Sequence, residues 1–482
     1  MTSASTTAIS AADSTATSSS ADATAERLTI RERLSYGVGD VGGNLVFAPI
    51  SAFLLFYLTD VVGIGAAIAG TLLLFGRVMD GTLDLIVGTL IDKTSTRWGK
   101  ARPWILFSTP VLVVSFVLLF NVPSGLSPGG KELYAFAFYF FCLGVGFVSS
   151  NLAYHTLLSV ITSSTKMRVS LTVFRTFFAL ATTLVVNAIT MPLITALGSG
   201  QSAWTGVMIG YGGIATITFA VLFLGTKERV KPAVGANNVV TMPLGIKLKK
   251  LLSNPFFFLG FGLFFLTFIL QGTSGVGVYF ASDVLGDPNS FGLLSVAQLA
   301  PMLLGLWFMP RVISRFGKRR SILFGTVVVI VGSIITLIDP SNLPLVILGT
   351  AIRGFGGIPA MASLFALVAD IVDYGEWKHG ARLDGMTYAA ATAGQNFGAG
   401  LGIAIVGWVL AAASYDGQAA LQAPSAISAE IFLQLWFPLI VAILTGIIVW
   451  FLNIDKYLPQ IHVDLAARRS AIAVATAEGD PR

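Results

Sequence analysis

The chain has one cysteine in 482 residues, three histidines, and only 11% Asp, Glu, Lys and Arg. Each shortage excludes something. A single thiol, Cys142, allows no disulfide within the chain and reads as a small packing residue. There is no Cys/His cluster to hold a metal, no His-Glu-x-x-His, and no glycine-rich loop ending in Gly-Lys-Ser or Gly-Lys-Thr to cradle a phosphate. An enzyme and a nucleotide-driven pump are therefore not expected, and no cofactor is called for. Residues 1–25 contain no Lys or Arg and no apolar run, so they fit neither a signal peptide nor a transit peptide; residues 1–26 are expected to be a disordered tail.

What is abundant is apolar. With 55% hydrophobic residues, the chain has too little polar surface to coat a water-soluble globule of its size. Spanning a bilayer takes about 20 mostly apolar residues in a helix. Twelve such stretches occur, at 37–59, 66–90, 104–121, 133–161, 170–196, 204–224, 255–282, 290–310, 321–338, 344–369, 383–413 and 429–453. The expected fold class is an all-α membrane protein with twelve transmembrane helices.

Lys and Arg gather in the loops after the second, fourth, sixth, eighth and tenth stretches; on the opposite side Lys131 stands alone. The positive-inside rule makes the basic side cytoplasmic and puts both termini there, in a multi-pass plasma-membrane protein. This asymmetry accounts for the net charge of +6 without a nucleic-acid partner.

The basic loops also repeat. Arg97-Trp98-Gly99-Lys100-Ala101-Arg102 follows the second stretch and Arg315-Phe316-Gly317-Lys318-Arg319-Arg320 follows the eighth. Both read Arg-aromatic-Gly-Lys-x-Arg at equivalent places in two sets of six helices. Duplication then divides the chain into bundles at 27–224 and 255–455, a cytoplasmic loop at 225–254 and a cytoplasmic tail at 456–482. That is the plan of the major facilitator fold, whose substrate site lies between the halves near the midplane.

Within the second stretch, Arg77, Asp80 and Asp84 fall three and four residues apart, on one stripe of a helix. A charge at the bilayer centre is unfavourable by ~2.5–3.5 kcal/mol or more. One guanidinium cannot neutralise two carboxylates, so a surplus acid is left to hold a proton or cation. The chain reads as a carrier.

Specific residues resemble one family. Ser35-Tyr36-Gly37-Val38-Gly39-Asp40, Tyr57-Leu58-Thr59-Asp60-Val61-Val62-Gly63, the Arg77–Asp84 stripe, Arg97 to Trp104, and Asp370-Ile371-Val372-Asp373-Tyr374-Gly375-Glu376-Trp377-Lys378 are similar, in matching order, to motifs of the melibiose-carrier-like glycoside–pentoside–hexuronide:cation symporters. The resemblance implies symport of a small sugar-like solute with H⁺ or Na⁺, with Asp80 and Asp84 as coupling carboxylates and Arg77 balancing them. Asn44 and Asn151 stand where the melibiose carrier has further aspartates, and Leu83 where it has an amide; fewer oxygen ligands favour H⁺ over Na⁺. His155 replaces a sugar-facing Trp, and Gln395 and Asn396 lie where many relatives carry a Lys. Arg175 lies near an arginine frequent in the family's sugar site, and Arg353 is about 14 Å deep in the tenth stretch at 1.5 Å per residue.

Substrate contacts are thus expected from Asn44, Asn151, His155, Arg175, Arg353 and Asn396. Counting Arg77, Arg175 and Arg353 against Asp80 and Asp84 leaves a deep positive excess, which points to an acidic sugar such as a uronide; a neutral glycoside stays open. On the cytoplasmic rim, Asp92, Arg97, Arg168, Arg311, Asp370, Asp373, Glu376 and Arg382, with Lys166 nearby, are expected to pair across the halves as a gate. The carrier is expected to act as a monomer. An uncoupled facilitator, or a carrier of a non-sugar amphipathic solute, remains the alternative.

Overall fold

With no water in the hydrocarbon layer, backbone polar groups must be satisfied within each span, and helices do this alone. The computed structural model describes residues 28–162, 164–229, 244–305, 307–380, 383–419 and 421–478, and among them there is no strand. In chain order the helices are α1 (Ile30–Val61), α2 (Ala66–Lys93), α3 (Arg102–Leu119), α4 (Pro128–Ile161), α5 (Thr165–Ala196), α6 (Gln201–Gly225), the short α7 (Leu244–Leu252), α8 (Pro255–Val284), α9 (Ser290–Gly305), α10 (Met309–Phe316), α11 (Lys318–Ile338), α12 (Leu343–His379), α13 (Asp384–Ala412), α14 (Pro424–Lys456) and α15 (Leu458–Glu478). Among the described residues eleven helices are long and apolar enough to cross a membrane, and twelve if α9 and α10 form one span bent by 64°. The all-helical membrane class expected from sequence is the one observed.

Three segments differ from the sequence expectation. The eighth stretch is this bent pair and not a straight helix. Residues 370–378 continue α12 as helix, which ends only at Gly380, in the left-handed region at φ 63°. The C-terminal segment contains α15, docked on α12 by Trp377 Nε1 donating to Asp464 at 2.8 Å and Arg468 donating to the Trp377 carbonyl at 3.1 Å. The expected N-terminal tail lies outside the described residues.

The repeated basic motif folds alike in both halves. Gly99 and Gly317 take φ of 104° and 82°, a turn that an L side chain adopts only under strain. The N-terminus of α3, whose first N–H groups lack helical partners, is met by Glu228, which accepts from the backbone of Lys100, Ala101 and Arg102 at 2.9–3.0 Å. In the second half Asp455 accepts from Arg319 N at 3.2 Å. Arg102 reaches back to the Phe223 carbonyl, and Arg319 to those of Val449 and Trp450. An acid just beyond a half's last spanning stretch therefore braces that half's third.

A second repeat joins it. Tyr57-Leu58-Thr59-Asp60-Val61-Val62-Gly63 and Phe280-Ala281-Ser282-Asp283-Val284-Leu285-Gly286 share aromatic-x-Ser/Thr-Asp-Val-x-Gly at the ends of α1 and α8. Both form one wide π-type turn, closed by Val62 N to Tyr57 O at 3.0 Å and Leu285 N to Phe280 O at 3.1 Å.

The halves meet on the face away from the basic loops. There α2 and α13 run backbone against backbone, so that a Cβ on Gly70 would stand 3.1 Å from Gly407 Cα. Likewise, a Cβ on Gly292 of α9 would stand 2.6 Å from the Ala188 carbonyl of α5.

Candidate functional site

The α2 stripe forms as its spacing predicts. Arg77 and Asp80 are 8% and 7% exposed, with Nη1 and Oδ2 3.7 Å apart. The guanidinium lies over the Phe47 ring of α1, 4.9 Å from its centroid. From the other side Gly400 of α13 rests on Arg77, since a Cβ there would stand 2.9 Å from Arg77 Cβ. Asn396, one turn from Gly400, shares this face of α13. Asp80 Oδ1 and Arg77 Nε have no hydrogen-bond partner among the described residues, and Asp84, one turn on, is half-buried. The stripe thus keeps unused acceptor capacity where α2 faces the other half.

A second group assembles from α1, α4 and α5. Arg175 places Nε 3.6 Å from Asp40 Oδ2, and Nη1 and Nη2 at 2.8 and 3.1 Å from the two ring nitrogens of His155. A guanidinium only donates, and a neutral imidazole has one lone pair to receive, so at most one of these contacts is a hydrogen bond. The Tyr154 ring lies under Arg175, 5.3 Å from its centre, and stacks on Tyr36 at 4.6 Å. Asn44 is held by its own helix: Nδ2 donates to the Asp40 carbonyl at 2.8 Å, while Oδ1 accepts from Thr183 at 3.3 Å. Asn151 is half-buried one turn before His155, which is exposed. Leu83 packs on Gly144, into the first half.

Asp40 is the residue the site reading missed. Starting the first stretch at residue 37 put Asp40 at the membrane edge, yet it is buried, 7% exposed, and paired with Arg175. Its signal was the four-residue spacing to Asn44, which sets both on one face. With Asp40 paired to it, Arg175 is no longer a surplus cation, and the charge count that pointed to an acidic sugar loses its excess.

Arg353 is not brought into this group. It is buried in the second half, where Nη1 donates to the Gln434 carbonyl at 3.1 Å in the wide turn of α14. A π-type turn leaves carbonyls without regular helical partners, and a guanidinium satisfies one there.

On the basic face, Asp92 pairs with Lys100 at 3.0 Å within the first half, and Arg168 donates to Thr162 and Ser159 carbonyls at the end of α4. Arg97 lies over Trp98, Arg311 donates to the Trp307 carbonyl, and Asp370 pairs with Lys318 at 2.5 Å within the second half. The cross-half pairing expected of Arg168 with Asp370 is not formed here. Asp373 and Glu376 are half-buried on the same end of α12, and Arg382 lies outside the described residues.

Two helical bundles in contact along a narrow seam, with buried charged groups near it and no enzymatic motif, define a membrane transporter of the major facilitator type. The family model for MFS/sugar transport proteins matches residues 35–456, and the chain belongs to that family. It is 34% identical over 450 residues to the isoprimeverose transporter of Lactiplantibacillus pentosus, covering 91% of this chain and 92% of that protein. It is 30% identical to a glucuronide carrier protein homolog of Escherichia coli (strain K12), covering 92% and 97%. In fold it is similar to a D-xylose-proton symporter of known structure, with a TM-score of 0.60 at 14% identity and coverage of 87% and 97%.

Proposed function

We propose that this sugar transporter is a proton symporter, importing a sugar or glycoside across the plasma membrane by alternating access. The observation that carries the reading is the α2 stripe: Asp80, with one oxygen unpartnered and the other loosely paired to Arg77, beside the more accessible Asp84. A carboxylate that must ionise and neutralise during transport needs this kind of incomplete compensation.

The proton is favoured over Na⁺ on the oxygen count. A hard cation wants several oxygen ligands, yet Leu83 packs away on Gly144 and the Asn44 oxygen already accepts from Thr183. Asp40, Arg175 and His155, with Asn151 beside them, form the sugar-reading group; together they offer acceptors, donors and a planar fork to hydroxyls or a carboxylate. A neutral glycoside fits without changing the charge balance, and a uronide fits if its carboxylate displaces Asp40 from Arg175. The basic face is cytoplasmic, and rim residues including Arg168 and Asp373 pair across the halves when that side closes.

Substrate addition to energy-depleted cells in weakly buffered medium tests the coupling. Alkalinisation of the medium supports proton symport. Uptake that follows Na⁺ at constant pH, or that never exceeds equilibration, overturns it.

A further inference from the structure

The repeated turns at the ends of α1 and α8 bring Asp60 and Asp283 from corresponding places in the two halves into one site, on the face away from the basic loops. Asp60 accepts from Thr59 at 2.6 Å and from Tyr415 at 2.7 Å, and Tyr279 shares a hydrogen bond with Thr59 at 2.8 Å. Thr59 and Asp60 belong to the first half, and Tyr279 and Tyr415 to the second. Gln418 adds a bond across the seam, donating to the Asp60 carbonyl at 2.8 Å.

Behind this network lies Glu430 of α14, with 0% of its surface exposed. Neither of its carboxyl oxygens, nor Asp283 Oδ2, finds a donor among the described residues. Glu430 and Asp283 nevertheless lie within hydrogen-bonding reach of each other, and Asp60 is close enough for all three charges to interact. Two carboxyls in contact need a proton between them, because neither has one to donate when ionised. Among the described residues the other titratable groups facing the site are Tyr279, Tyr415 and Asp416, which bring no positive charge. The basic residues bonded near it, Lys131 and Arg353, donate to the carbonyls of Val62 and Gln434.

We propose that Asp60, Asp283 and Glu430 form a proton-binding latch: with a proton held between Asp283 and Glu430 of the second half, Asp60 of the first half stays bonded to Tyr415 and the two halves stay joined on this face, and its loss sets their charge against Asp60 and drives the halves apart. Three ionised carboxylates in one buried site without a cation repel one another, and parting the seam lets water reach them. The Asp80–Asp84 stripe lies elsewhere along the seam, so the latch holds whichever ion those residues carry.

The test is a distance across the latched face in the purified full-length protein, which removes any dependence on orientation in a membrane. Spin labels on cysteines placed at Gly125 and Ser341, exposed loop positions in different halves, report the opening, with the buried Cys142 replaced by Ala. In the otherwise native protein the longer-distance population should grow between about pH 5 and about pH 9, by up to tenfold per pH unit for each proton released. Glu430→Gln and Asp283→Asn, separately and together, should keep the short distance throughout, and Asp84→Asn should leave the response in place. A distance independent of pH overturns the latch. So does full opening of both neutralised variants, or loss of the response in Asp84→Asn alone, which would assign it to the stripe.

Discussion

Asp40 of α1 and Arg175 of α5 form a charge pair at 3.6 Å, and the same guanidinium lies against both ring nitrogens of His155. Three helices of the first half are tied at one cation. A ligand that displaces Asp40 or His155 from Arg175 perturbs α1 or α4 along with α5, whereas one that takes a spare guanidinium N–H leaves that tie in place.

Arg175→Lys retains the charge but loses the planar fork. Its effect on sugar binding should be about tenfold or more, equivalent to ~1.4 kcal/mol. Counterflow with a labelled sugar at graded concentrations measures it; unaltered affinity removes Arg175 from the sugar-reading group.

Arg353→Lys separates a structural arginine from one that reads substrate. Because Arg353 donates to the Gln434 carbonyl, the substitution should lower thermal stability and leave the ratio of competition by a uronic acid and its parent hexose unchanged. The same pair tested on Arg175→Lys should show a changed ratio if the substrate is acidic. A selective loss of the uronic acid in Arg353→Lys restores the role that its depth in the sequence first implied.

Asp84→Asn should abolish accumulation against a gradient while downhill exchange persists, since the amide keeps the size and loses the titratable proton. Full accumulation by this variant in right-side-out vesicles moves coupling to another group.

Glu228→Ala leaves three N–H groups at the start of α3 without their acceptor. Loss of a helix N-cap is worth about 0.5–2 kcal/mol, so the midpoint of thermal unfolding in detergent should fall measurably. Asp455→Ala should do the same for the second half, through the single bond to Arg319. No fall in either variant means the repeated brace is geometric without being stabilising.

Much of the fold was legible because membranes impose a simple code: apolar runs long enough to cross, with Lys and Arg alternating by side. The Arg77–Asp84 stripe was legible for the same reason, being charge where charge is unfavourable. Asp40 escaped because a helix projecting beyond its apolar run carries polar residues whose depth hydropathy cannot place. Arg353 was visible as deep but not as bonded to backbone, since the irregular turn of α14 at Phe432–Trp436 leaves no apolar pattern of its own. The aromatic-x-Ser/Thr-Asp-Val-x-Gly repeat stood in plain view, yet its meaning lies in the proximity of Asp60 and Asp283, which only the tertiary arrangement provides.

The seam between α2 and α13 is bare backbone where Gly70 meets Gly407. A contact without side chains has no rotamers to reset and no interdigitating ridges to withdraw, so this point parts and rejoins smoothly. Resistance to parting therefore falls on the side chains that flank this contact, Trp408 Nε1 donating to Thr71 at 2.9 Å and Arg77 lying against Gly400, and not on the glycines themselves. A single bulky residue at Gly407 would act as a permanent shim, holding the molecule in the opposite orientation for as long as the residue is there.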